Sequence, residues 1–146
     1  MSQSRCFVDS NVWLYWLADD MKLSTEERLR KRHLAAEVIK NENLIISTQV
    51  LNEVCVNLIK KAGFGEDYIR QVIQEFYDSC DVIVFNYDIL IQASELRGRY
   101  NFSFWDSLIV STALYAKAVI LYSEDMQDGI VVSGQLEIVN PFKYRD

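Results

Sequence analysis

The stretch Leu44-Ile45-Ile46-Ser47-Thr48-Gln49-Val50-Leu51-Asn52-Glu53-Val54-Cys55-Val56-Asn57-Leu58-Ile59-Lys60-Lys61-Ala62-Gly63 changes its period part-way along. Leu44–Ile46 is a continuous apolar run, which suits a strand of a parallel sheet covered on both faces. From Gln49 to Lys61 the spacing is helical. Val50, Leu51, Val54, Cys55, Leu58 and Ile59 share one broad face, and Gly63 stands where a helix stops. A strand that hands over to an amphipathic helix is the building unit of an α/β fold.

The same alternation extends in both directions. Cys6–Val8, Val82–Phe85 and Val119–Tyr122 are further continuous apolar runs, and Ile138–Val139 adds a short late strand. Between them the pattern predicts helices over Asn11–Ala18, Ser24–Asn41, Glu66–Ser79, Tyr87–Arg99 and Phe104–Lys117. Ser24 and Glu27 have the spacing of a capping box. The expectation is an α/β sandwich with a mostly parallel sheet, and residues 1–146 form one domain.

Composition narrows the function classes. Half the residues are hydrophobic and a quarter charged, an ordinary globular balance that excludes a disordered chain. The net charge of −6 disfavours a protein that holds nucleic acid by bulk electrostatics alone. It leaves room for a nuclease whose acids gather at a metal site. Cys6, Cys55 and Cys80 are odd in number and widely spaced, so a zinc ribbon or a thioredoxin-like pair has no support. Free thiols in a reducing cytoplasm are the expectation. No apolar run reaches membrane-spanning length, and Asp9 interrupts any signal-peptide core, so no membrane partner is expected.

Parallel sheets bind ligands beyond the carboxyl ends of their strands. Asp9 ends the first strand, Glu53 lies in the second turn of the helix after the second, and Asp125 follows the fourth. Asp106 opens the helix before the fourth strand. It reaches the same edge only if Tyr87–Arg99 lies askew or the 98–103 loop climbs back. Each acid alone has a plainer role: Asp9 as a helix cap, Glu53 on a polar stripe, Asp106 at a helix dipole, Asp125 and Asp128 in a turn.

Together they ask for more. Four carboxylates within about 5 Å of one another would repel by roughly 3 kcal/mol per pair at an effective dielectric near 20. Either some protonate or a divalent cation binds, and all-oxygen ligands select Mg²⁺ or Mn²⁺. One or two such ions lower the pKa of water and neutralise the transition state of phosphodiester hydrolysis.

The blocks Phe-Val-Asp-Ser-Asn-Val (7–12), Ser-Thr-Gln-Val-Leu-Asn-Glu (47–53), Phe-Ser-Phe-Trp-Asp-Ser-Leu-Ile-Val (102–110) and Ser-Glu-Asp-Met-Gln-Asp-Gly (123–129) resemble the four motif blocks of the PIN-domain family. They are most like its VapC-type ribonuclease toxins. The resemblance implies a PIN-like three-layer sandwich with four to five strands. It also implies a Mg²⁺- or Mn²⁺-dependent endoribonuclease with the acidic quartet Asp9, Glu53, Asp106 and Asp125. Asp9, Asp106 and Asp125 would hold the metal, and Glu53 would share it or orient the attacking water. Asp128 is similar to an accessory acid of some members, and Asn11 and Ser123 match positions that orient the carboxylates. The family brings the Asp106 helix start to the site. It also implies an RNA substrate, a homodimer, and a protein antitoxin lying over a hydrophobic groove near the acids.

Two further features stand outside the quartet. Arg28, Arg30, Lys31 and Arg32, with Lys60, Lys61, Arg97 and Arg99, are candidate rims that guide RNA, against the plainer reading of a charged helix face paired with Glu26 and Glu27. The first helix is apolar all round, so its excess face either covers the core of a small domain or contacts another chain; the resemblance favours the second, with Trp13, Tyr15 or Trp16 near an interface. A histidine-based ribonuclease is excluded, since His33 is the sole histidine. An aspartyl phosphatase would need a second Asp where Asn11 stands, and a receiver domain would need an acidic pair after the first strand. The rival that survives is a non-catalytic PIN-like scaffold that binds RNA or protein.

Overall fold

The computed structural model describes residues 4–41 and 43–144. Strand β1 (Cys6–Val8) leads through α1 (Ser10–Leu17) and α2 (Thr25–Ile39) to β2 (Leu44–Ser47). Helices α3 (Thr48–Ala62) and α4 (Glu66–Ser79) lead to β3 (Asp81–Ile83), and α5 (Tyr87–Arg99) and α6 (Phe104–Tyr115) to β4 (Ile120–Tyr122). A hairpin of β5 (Val131–Val132) and β6 (Leu136–Val139) completes one sheet in the order β3-β2-β1-β4-β6-β5. All neighbours pair in parallel except β5 with β6.

The topology follows from burial and handedness. Every residue of β1 and β2 is buried, which is why both read as unbroken apolar runs, whereas β3 lies at an edge and is partly exposed. From β1 to β2 to β3 the chain steps in one direction, and from β3 to β4 it steps back across β1. Right-handed crossovers then put α1–α4 on one face and α5–α6 on the other. The packing agrees, with α1 against α2 and α3, α3 against α4, and α5 against α6. The chain reverses between β1 and β4, which makes their carboxyl ends a topological switch point. Val8 lies opposite Tyr122 there.

Local signals act where the sequence carries them. Ser24 Oγ accepts from the Glu27 N–H, while the Glu27 carboxylate turns to Arg30 and Tyr144 and leaves the box half made. Gly63 ends α3 at φ +71°, with its N–H on the Ile59 carbonyl and that of Phe64 on Leu58. The sheet has six strands, not four to five. Val131–Val132 is too short and too exposed at Val131 to announce itself as a strand. It forms because the turn at Ser133 and Gly134, both at positive φ, folds it back on β6.

The expectation for α1 needs division. Trp13 is spent inside its own chain, with Nε1 donating to the Val8 carbonyl and its ring edge-on to Phe76. Tyr15 is half-buried and Trp16 exposed. Among the described residues no helix is long and apolar enough to cross a membrane.

Candidate active site

Asp9 follows the last residue of β1 and caps α1. Its Oδ1 accepts from the Ser10 N–H at 2.7 Å, and its Oδ2 from Ser123 Oγ at 2.8 Å. The residue is 5% exposed. Burial pushes its pKa up to about 6; the Ser10 and Ser123 hydrogen bonds oppose this, and the charges of Glu53 and Asp106 add to it. The helix-cap role and an acidic-site role therefore fall on the same carboxylate.

Glu53 reaches in from the second turn of α3. Its Oε1 accepts from Gln49 Nε2 at 3.0 Å, and its Oε2 from Ser10 Oγ at 3.3 Å. Ser10 thus serves two acids, Asp9 through its backbone and Glu53 through its hydroxyl. Asp106 sits in the first turn of α6, its N–H bonded to the Ser103 cap. Burial and the charge of Asp125 raise its pKa, and a Ser103 hydrogen bond opposes them. Asp125, in the loop after β4, is exposed and accepts from Asn11 Nδ2 at 3.1 Å.

The position of Asp106 depends on α5, which packs chiefly on α6 rather than on the sheet. Ser111 Oγ donates to the Ile89 carbonyl and Arg97 to Ser107 Oγ, each at 2.7 Å, fixing an antiparallel helix pair. The α6 start is then free to face the switch point.

Asp9 feels Glu53 and Asp106, and Asp106 feels Asp125, so the four acids form one electrostatic group. Among the described residues no three His, Cys, Asp or Glu side chains converge as ligands around one point. The chemistry of the donor set nonetheless fits a hard divalent cation. All donors are carboxylate oxygens, and two of the acids hold their protons more tightly because they are buried and have other carboxylates beside them. Gln49 Oε1, beside Glu53, is buried without a hydrogen-bond partner among the described residues.

Asp128 faces elsewhere. It accepts from the Asn140 N–H at 2.7 Å and lies 3.7 Å from Lys143 Nζ. The basic run of α2 is largely turned inward. Arg30 bonds Glu27 and the Phe142 carbonyl, Lys31 bonds Glu124 and Tyr15, and Arg32 bonds Asp19 and the Ala18 carbonyl. Arg28 reaches Thr25 and the Met21 sulfur. Arg97 stacks over the Phe104 ring at 4.4 Å, whereas Lys60, Lys61 and Arg99 are exposed without a carboxylate partner among the described residues. Ser10, Gln49, Glu124 and Tyr15 are polar groups of this site that the motifs did not single out. Gln49 could have been found four residues before Glu53 on the same helix face. Glu124 gives no such sign, because its cation is 93 residues away.

The PIN domain model matches residues 6–127, a span that includes all four acids. The chain belongs to the PIN-domain family. Its fold is similar to that of chains in several solved structures. One is in a toxin–antitoxin complex from Klebsiella pneumoniae (TM-score 0.65, 18% identity, 95% of this chain and 99% of that one). Another is the sarcin–ricin loop cleaving toxin VapC20 of Mycobacterium tuberculosis (0.61, 17%, 80% and 86%). A third is in VapBC2 of Rickettsia felis bound to a DNA fragment from its promoter (0.60, 18%, 92% and 98%). At these identities the likeness is one of fold. No protein of curated function matches the sequence.

Proposed function

We propose that this PIN-family chain, read as one unit over 1–146, is a Mg²⁺- or Mn²⁺-dependent endoribonuclease and the toxin of a toxin–antitoxin pair. The observation that carries the reading is the electrostatic group of four acids at the switch point, with Asp9 raised to about 6. Asp9, Asp106 and Asp125 would hold the metal, and Glu53 would share it or orient water. A bound ion would supply a low-pKa water and charge neutralisation at the phosphate. The chain's own residues set the stage. The Ser10 N–H and Ser123 aim both oxygens of Asp9, Gln49 and Ser10 aim Glu53, and Asn11 aims Asp125.

A groove of about 360 Å³ opens beside Asn11, lined by apolar Leu14, Ala18, Met21 and Ala62 together with Tyr15, and by charged Asp19, Asp20, Lys22 and Lys61. Its apolar lining and its nearness to Asp125 support it as the seat of a protein antitoxin. Half-exposed Trp16 supports a homodimer. Both the RNA path and a cytoplasmic setting belong to the same reading.

One observation favours the second reading, a non-catalytic PIN-like scaffold: no three acids converge among the described residues. Incubation of a structured RNA pool with the purified protein and Mn²⁺, with EDTA and Asp106→Asn as controls, separates the two. Metal-dependent cutting lost in the variant is the expected result. No cutting and no Mn²⁺-induced stabilisation would leave the scaffold.

A further inference from the structure

Lys31 belongs to the basic run of α2, yet its ammonium is engaged within its own chain. Its Nζ lies 2.6 Å from Glu124 Oε2 and 3.1 Å from Tyr15 Oη, and Tyr15 donates its proton to Glu124 Oε1 at 2.6 Å. Both carboxylate oxygens of Glu124 are therefore claimed, one from α2 and one from α1. The Lys31 and Glu124 side chains are only 15% and 22% exposed. The ammonium also sits over the Tyr15 ring at 4.6 Å and the Phe142 ring at 5.7 Å.

Glu124 stands between two residues of the acidic site. On one side, Ser123 donates to Asp9. On the other, Asp125 accepts from Asn11 Nδ2, while Asn11 Oδ1 takes the Glu124 N–H at 3.3 Å. Three consecutive residues thus point in three fixed directions. A turn of Glu124 about its backbone would swing Ser123 off Asp9 and Asp125 off Asn11. A partly buried ion pair is poor evidence of net stabilisation, since an apolar pair of similar shape would serve as well. What the pair supplies and an apolar pair cannot is direction. Charge-assisted bonds to both oxygens hold one rotamer.

We infer that Lys31, with Tyr15, is a positioning residue for the acidic site, clamping Glu124 so that Asp125 and Asp9 are presented together to a divalent cation. The inference rests on reading the quartet as an ion site.

The test is Mn²⁺ alone, titrated into the full chain after EDTA treatment and followed by calorimetry and by melting temperature. Lys31→Met, which keeps the stem on Tyr15, is expected to weaken Mn²⁺ binding about tenfold, with Lys31→Arg restoring it to within about threefold. Tyr15→Phe keeps the ring and removes the hydroxyl. It is expected to give a smaller loss, and it carries the test if Lys31→Met does not fold. A Lys31 that only stabilises the fold would lower the metal-free melting temperature and leave Mn²⁺ affinity unchanged, which overturns the inference. So does a Lys31→Met protein that binds RNA more weakly in EDTA while binding Mn²⁺ normally, since Lys31 would then be a phosphate contact. A parent protein that binds no Mn²⁺ removes the site reading and this role together, whereas a parent that binds equally with Lys31→Met removes the role alone.

Discussion

Asp9→Asn should make the metal-free protein more stable, and only at neutral and higher pH. Asp9 ionises in the fold at about 6 against an ordinary value of 3.8. Its proton is held more tightly folded than unfolded. The favourable contribution is therefore complete below the unfolded value and is lost as pH rises through the folded one. A difference of about two units corresponds to about 3 kcal/mol at 1.36 kcal/mol per unit, lost in full near pH 8. Asparagine is nearly isosteric, caps a helix as well as aspartate, and can still accept the Ser10 N–H and bond the Ser123 hydroxyl. Urea unfolding of parent and variant in EDTA, from about pH 4 to about pH 8, measures the difference directly. The curves should nearly coincide at the acid end and separate in the variant's favour as pH rises. A gain independent of pH, or no gain near pH 8, would refute the claim that uncompensated charge is stored at Asp9. Added Mn²⁺ should then stabilise the parent and leave the variant behind.

Two further outcomes follow from other parts of the molecule. Gly63→Ala should cost about 1 kcal/mol by urea unfolding, because the left-handed φ of +71° strains any side chain although a Cβ there would meet nothing within 4 Å; an unchanged midpoint would count against the C-cap. If exposed Lys60 and Lys61 touch RNA phosphates, changing both to Ala should reduce the salt slope of single-strand binding by about 1.4; an unchanged slope makes them plain surface.

Much of the frame was readable because it is local. The bounds of α4 and α5 agree with the periodicity, and the Gly63 stop and Ser24 cap act where their residues stand. Burial of β1 and β2 on both faces leaves an apolar run that needs no tertiary knowledge. Asp106 was different. Its place depends on α5 pairing with α6 off the sheet, through bonds such as Arg97 to Ser107 that no periodicity encodes. Lys31 was open to misreading for a similar reason. In the sequence it is one of several neighbouring cations, and only the fold brings Glu124 to it. The β5–β6 hairpin turns on two positive-φ residues, one of them a serine, and so leaves little trace.

The pairing of β1 with β4 also sets when the site can exist. Asp9 and Ser123 are 114 residues apart and meet only after two double-helix crossovers and the return across the sheet have closed. Contacts of such sequence separation form late, because the loops they close must be ordered first. A chain still being made, or one cut before β4, holds Asp9 with no Ser123 to aim it. Whatever chemistry the acids perform is then withheld until the whole sheet is in place, and is the first thing forfeited when β4 lets go.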